Sequence, residues 1–480
     1  MSETASATRS SIGLADLPGP RGMPLLGNLL QLDLQRLHLT LERWVREHGP
    51  LYRFQLGRKS VVVVADSSAM FEILRDRPRG YRRLGTIEPV MAEMGVNGVF
   101  SAEGATWQRQ RRIVMQAFHP GHLRTFFPTL AEITERLVRR WQRSAGEPID
   151  APGELMRYTV DVTTALAFGH DMRTLEGTED VIQRHLEQIF PAINRRVNAP
   201  FPYWRFVKLQ ADRAVDRALV AVHAAIREFI ERARAQQAAD PAAKPRNLLE
   251  ALLKARDDDG SAFSDADIAG NVFTMLLGGE DTTANTLAWL LSFLTEHPRV
   301  QAAVRDEVDR VYPRPEDFQD YGRLDQLRYV EAVAHETMRL KPVAPLLFLE
   351  ANTDVRIRNV DVPKGTAVFL CARPAAISEA NFPDPLSFKP ERWLDAGEGP
   401  GMRTAAAADG TSRTFLPFGA GPRFCPGRNL AMIEIKHVVA AIARHFTVSS
   451  ADATARSIEE RFAFTMMPRG LRLIATSRTR

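Results

Sequence analysis

Cysteine is almost missing from this chain: there are two in 480 residues, Cys371 and Cys425. A disulfide framework is excluded, and so sparse a usage fits a reducing compartment. Long apolar runs are missing as well. No stretch approaches the roughly 20 apolar residues that span a bilayer, and no charged-then-apolar signal segment opens the chain. A soluble, cytoplasmic protein without a membrane anchor is expected. Charge of one sign is hardly in excess. The 63 basic and 58 acidic residues leave a net charge of +5, too mild to point to a nucleic-acid partner. Internal repeats are lacking too. No linker divides the chain, so one domain is expected over 17–480, preceded by a Ser/Thr/Ala-rich segment, 1–16, without fixed structure.

What the chain does have is helix. Hydrophobic residues make up 45% of it, ample for a large core. Apolar periodicity predicts helices over Thr40–His48, Thr106–Phe118, Leu130–Arg143, Leu155–Phe168, Glu179–Asn194, Ala211–Gln236, Leu248–Arg256, Ser264–Glu296, Arg299–Val311, Leu327–Leu340 and Asn429–Phe446. Strand-like runs are few. Leu51–Leu56 and Val61–Ala65 flank a Gly57-Arg58-Lys59 hairpin signal, and two more lie at Val355–Ile357 and Ala367–Leu370. Asp257-Asp258-Asp259-Gly260 reads as a solvated turn. The fold class is mainly α with minor β sheets.

Chemistry concentrates in Phe418-Gly419-Ala420-Gly421-Pro422-Arg423-Phe424-Cys425-Pro426-Gly427. A narrow loop feeding a helix N-terminus aims backbone N–H groups at the sulfur of Cys425. Those donors and the helix dipole favour thiolate over thiol. Phe418 and Phe424 would keep water off one side. The glycines, Gly427 among them, let backbone approach a flat ligand, and Arg423 can reach an anionic group on it. A second unusual stretch lies in the longest helical pattern, Gly278-Gly279-Glu280-Asp281-Thr282. Adjacent glycines inside a helix cost about 1 kcal/mol each against alanine. They predict a local kink or widening that admits a small ligand and frees a carbonyl. Asp281 and Thr282 place an acid and an alcohol there, as the proton delivery that cleaves an O–O bond requires.

The cysteine loop resembles the haem-binding loop of cytochromes P450, Phe-x-x-Gly-x-Arg-x-Cys-x-Gly, at every fixed position. The resemblance spans roughly 17–473 and includes four further motifs. Gly278-Gly279-x-Asp281-Thr282 is similar to the family's oxygen-activating segment. Glu336-x-x-Arg339 and Pro390-Glu391-Arg392-Trp393 are similar to its structural locks, and Trp107-x-x-x-Arg111 to its propionate-binding pair. The resemblance implies the triangular-prism P450 fold, haem b as cofactor and Cys425 as the thiolate ligand of its iron. It gives Asp281 and Thr282 the proton-handling roles, beside Gly278 and Gly279. Trp107, Arg111 and Arg423 would contact the propionates. Glu336, Arg339 and Arg392 would form a buried charge network behind the loop. Many family members carry an arginine at the position of Leu349; its absence would put more weight on those three propionate contacts.

By the same analogy the substrate pocket draws on Ile87, Val90, Met91, Val99, Phe100, Met275, Leu276, Val343, Ala344, Leu346, Leu347, Phe464 and Met466. All are apolar, which implies a hydrophobic substrate. The chain ends soon after its last turn, so electrons are expected from a separate ferredoxin or flavodoxin with its NAD(P)H reductase. Arg109, Arg112, Arg428 and Lys436 could form the docking face for that carrier. The expected activity is a haem-thiolate monooxygenase that uses O2 to hydroxylate its substrate. Alternatives are an H2O2-dependent peroxygenase, which usually lacks the acid–alcohol pair, an epoxidising or coupling enzyme with the same site, and a non-catalytic haem sensor. His119, His335 and His437 read as structural histidines, and Cys371 as a small buried apolar residue.

Overall fold

The computed structural model describes residues 11–177, 181–197, 199, 201–257, 260–394, 414–452, 458–463 and 465–478. The chain divides into two compact units. One joins Met1–Gly85, Pro345–Leu386 and Glu398–Phe424; the other joins Thr86–Ala344, Ser387–Gly397 and Cys425–Arg480. Each is assembled from three separated stretches, so no linker marks the division in the sequence.

The first unit is built on a five-stranded sheet. Its strand order is Leu51–Leu56, Lys59–Val64, Ala367–Cys371, Leu346–Ala351, Tyr81–Arg83. The first two strands form an antiparallel hairpin, and Gly57 at its turn has φ +60°, a conformation glycine adopts without strain. Val61 to Val64 then pair in parallel with Ala367 to Leu370. Val62, Val64 and Val368 pack with Leu349, Val360 and Val362 in a hydrophobic core. A second sheet pairs Ile12–Gly13 in parallel with Val360–Val362, which pairs with Val355–Ile357. Residues 12–16 are therefore ordered, contrary to the expectation for 1–16, because Ile12 continues a sheet edge. Residues 1–10 lie outside the described set. In the Leu37–His48 helix, Glu42 accepts from Arg373 Nε and Nη2 at 2.8 and 2.7 Å, both side chains buried.

The second unit is helical. Its central helix, Asp265–Glu296, starts in a capping box: Ser264 Oγ accepts from Asp267 N, and Asp267 accepts from Ser264 N. It packs chiefly on the Ala151–Phe168 helix. Phe446–Ser450, Arg472–Ser477 and Pro148–Asp150 form a small sheet, and Glu459–Phe462 pairs with Met466–Arg469 in a hairpin. The helices follow the periodicity within a few residues, with one exception. The Leu130–Arg143 expectation begins ten residues late, because the helix spans Pro120–Arg143 and runs through Pro128. The Ile87–Glu93 and Ser67–Arg75 helices are too short to show a period and were not expected. Among the described residues, no helix is long and apolar enough to cross a membrane.

Candidate active site

The central helix is enclosed along most of its second half and middle, with one opening. Gly278 is exposed, and Gly279, Asp281 and Thr282 are half-buried, between neighbours that are fully covered. Such a window marks the wall of an open space. The two glycines face differently. A Cβ at Gly278 would meet nothing within 4 Å, whereas at Gly279 it would stand 2.9 Å from Thr163 Oγ1. Gly279 is thus a packing requirement of the Ala151–Phe168 helix, and Gly278 opens onto the space. The helix is continuous through both. The carbonyl expected to be free is instead taken: Thr282 Oγ1 donates to Gly278 O at 2.7 Å. Burial pushes the Asp281 carboxyl up to about 6, so near neutral pH it can both hold and release a proton.

Cys425 lies just before the Arg428–His445 helix, and its sulfur accepts the backbone N–H groups of Gly427 and Arg428. The expected donors are present. Their net effect differs from the expectation, because burial outweighs them and raises the thiol pKa. A cation held at this sulfur would have to displace its proton. Arg111 sits in the field of Cys425; burial lowers its own pKa and the sulfur partly restores it. Trp107, one turn earlier on the Gly104–Ala117 helix, is buried as well.

In the first unit, Phe418 and Arg423 are half-buried. Gly421 is required by the turn itself. Gly419 and Gly421 have φ +73° and +67°, and a Cβ at Gly421 would fall 2.3 Å from Leu74 O. Leu349 is fully buried in that unit's core, so its position offers no substitute propionate contact. Neighbouring Glu350 accepts from Arg82 Nε at 3.1 Å and from Gly85 N at 3.1 Å.

Glu336 is the hub of a buried network in the second unit. Its Oε2 accepts from Arg339 Nε at 2.8 Å and from Trp393 Nε1 at 2.9 Å. Its Oε1 accepts from Arg339 Nη2 at 2.8 Å, Lys389 N at 2.9 Å and Arg392 Nε at 3.1 Å. Glu336 and Arg339 have no exposed surface. Five donors on one carboxylate satisfy a charge that would otherwise be costly to bury.

The other expected residues sort by exposure. Met91, Leu276 and Met466 have none and belong to the core rather than to a pocket wall. Ile87, Val90, Val99, Met275 and Leu346 are buried with a trace of open surface. Phe100, Val343 and Leu347 are half-buried and Ala344 is exposed. Phe464 lies outside the described residues. The basic docking face needs correction. Arg112 Nε and Nη2 bind Asp257 Oδ1 at 2.9 and 2.7 Å, and Arg109 pairs with Asp257 and Asp267. Lys436 is buried and bonded to Glu331 at 3.1 Å. These charges are largely neutralised within the chain. Asp257 is accordingly an ion-pair partner rather than part of a solvated turn; Asp258 and Asp259 lie outside the described residues. His119 Nδ1 caps the Pro120–Arg143 helix by accepting from Gly121 N at 3.2 Å. Burial lowers His335 to about 4 and His437 to about 3. Cys371 is fully buried, and its thiol is pushed up by burial.

Thr163, Asn285 and Thr465 were not foreseen. Asn285 lies four residues after Asp281 on the same helix face, a spacing that could have singled it out. Thr163 and Thr465 carry no local signal, since their roles depend on which elements pack together.

The donor set suits an iron porphyrin: a sulfur with two backbone donors, a buried arginine and tryptophan on a neighbouring helix, and a glycine window on another. Comparison with known proteins agrees. A sequence model of the cytochrome P450 family matches residues 17–475. Human mitochondrial 25-hydroxyvitamin D-1 alpha hydroxylase is 31% identical over 469 residues, covering 93% of this chain and 89% of the relative. A bifunctional cytochrome P450/NADPH–P450 reductase of Bacillus subtilis is 26% identical over 94% of this chain, which spans 42% of that longer protein. The crystal structure of the cytochrome P450DA heme domain superposes with a TM-score of 0.85 at 23% identity, covering 98% of this chain and 99% of that one. The chain therefore belongs to the cytochrome P450 family of oxidoreductases, whose cofactor is haem b.

Proposed function

We propose that this enzyme inserts one atom of O2 into an apolar organic substrate, leaving a hydroxyl group. Separate proteins, a ferredoxin or flavodoxin with its NAD(P)H reductase, deliver two electrons. Two protons complete the balance, and the second oxygen atom leaves as water. The reading is supported by the glycine window of the central helix, with a half-buried acid and a hydroxyl side by side on it. The human relative's name describes a hydroxylase. The apolar half-buried residues Phe100 and Val343 suit a hydrophobic substrate.

Cys425 would hold the haem iron through its sulfur, and the bound haem would supply the redox chemistry of oxygen activation. The protein's own groups manage protons and water. Gly278 leaves room at the window, since nothing stands within 4 Å of where its Cβ would be. Thr282 points its hydroxyl hydrogen at Gly278 O, so its oxygen lone pairs are available to a neighbouring donor. Asp281, with a pKa of about 6, exchanges a proton at its carboxyl oxygens close to neutral pH. Arg111 and Trp107 would hold carboxylate groups of the porphyrin edge.

Thr282→Ala is the direct test. With a surrogate ferredoxin and reductase, the variant should bind haem normally but yield several-fold less product per NAD(P)H consumed, because one hydrogen-bonding group is lost where protons are delivered. Unchanged coupling in that variant would refute the assignment.

A further inference from the structure

The helix turn that carries Asp281 and Thr282 is fastened from behind. Asn285 is 3% exposed, and its Nδ2 donates to Asp281 O at 2.8 Å and to Thr465 Oγ1 at 3.1 Å. The orientation of this amide is fixed by its partner, because a main-chain carbonyl can only accept. Thr465 is 1% exposed. One turn further along, Trp289 Nε1 donates to Met466 O at 3.2 Å. Met466 N in turn donates to Val343 O at 2.8 Å. Residues 281, 285 and 289 recur every four positions, so one face of the helix is pinned to 465–466. Met466 thus ties this strand to Val343, whose neighbour Ala344 is exposed.

We propose that Asn285 and Thr465 are positioning residues for Asp281 and Thr282, and that they convey occupation of the Val343–Ala344 segment by substrate to that pair. The inference rests on the monooxygenase reading above. Asp281 O already accepts the helical N–H of Asn285; the side-chain amide adds a second donor and holds the carbonyl along the helix axis. Without it the carbonyl is free to tilt toward the window, as solvent-side carbonyls do. Thr465 keeps the amide in place by giving its other hydrogen a buried acceptor, which is costly to remove. A molecule pressing on Val343 moves the N–H of Met466, the residue bonded covalently to Thr465. The path therefore consists of hydrogen bonds and one peptide link, with no contact through bulk solvent.

The test uses the ferric haem-loaded protein with dodecanoic acid or testosterone as apolar probe, whichever gives the larger spin-state shift. In Thr465→Val, product per NAD(P)H should fall, and amide exchange across 278–286 should quicken by up to roughly tenfold, the scale of one buried hydrogen bond. Probe binding should slow that exchange in the natural protein and leave it unaltered in the variant. Thr465→Ser, which keeps the hydroxyl, should restore both readouts. Asn285→Asp, which when ionised at alkaline pH cannot donate to a carbonyl, should behave like Thr465→Val there and serves if the valine variant does not fold. Natural coupling and a natural exchange response in Thr465→Val or Asn285→Asp would overturn the inference. Failure of Thr282→Ala to uncouple would instead fault the monooxygenase reading.

Discussion

Asp281 shows how position sets chemistry at the scale of one residue. Burial raises its pKa from 3.8 to about 6, so the folded chain holds the proton more tightly than the unfolded chain. Its contribution to stability is complete below pH 3.8 and is lost as pH rises through about 6. Asp281→Asn should match the natural protein in acid. At about pH 8 it should be more stable by up to about 3 kcal/mol, measured by denaturant titration. Equal stability of the two at that pH would show that Asp281 is better solvated than its surroundings suggest. Cys425, Asp281 and Thr282 stand out as candidates in the sequence because each sits in a short local pattern. The raised Cys425 thiol was not, since donors to the sulfur are local but the burial that outweighs them is tertiary.

Helices and loops carry the next level. The Asp265–Glu296 helix was legible to within one residue, because Ser264 and Asp267 form a capping signal that operates locally. The Pro120–Arg143 helix was foreshortened because Pro128 reads as a breaker, yet it sits inside a helix held by buried Leu123, Phe126, Phe127 and Leu130. Packing there outweighs the cost of the proline. The unlike surroundings of Gly278 and Gly279 lead to opposite expectations. Gly278→Ala should raise thermal stability, by up to about 1 kcal/mol of helix propensity. Gly279→Ala should lower it, since its Cβ would fall 2.9 Å from Thr163 Oγ1. Thr163→Ala should relieve most of that loss in the double variant. Additive losses in the double variant would place the strain elsewhere.

At the scale of the whole molecule, separated stretches of chain are closed by buried charge. Glu336 and Arg339 on one helix meet Lys389, Arg392 and Trp393 from a segment some fifty residues on. In the other unit Glu42 meets Arg373. Spacing alone could not identify such pairs as buried; in the sequence Glu336 and Arg339 are simply three residues apart, as exposed helix pairs are. Glu336→Gln removes the one anion that several donors share, which should cost roughly 3–5 kcal/mol and reduce haem retention. Haem content per folded protein, with the melting temperature, measures both.

The division into two units had no sequence signal, because each unit is discontinuous. Part of the docking expectation changes for a related reason: Arg109 and Arg112 look unpaired in a helical pattern, but a distant acid, Asp257, pairs with both. The central claim is that Cys425 binds the haem iron as a thiolate. The absorption spectrum of the reduced, carbon monoxide-bound protein tests it most directly. The account predicts the red-shifted band of a thiolate ligand in the natural protein and its loss in Cys425→His. A band of the imidazole or thiol-ligated type in the natural, fully folded protein would contradict it.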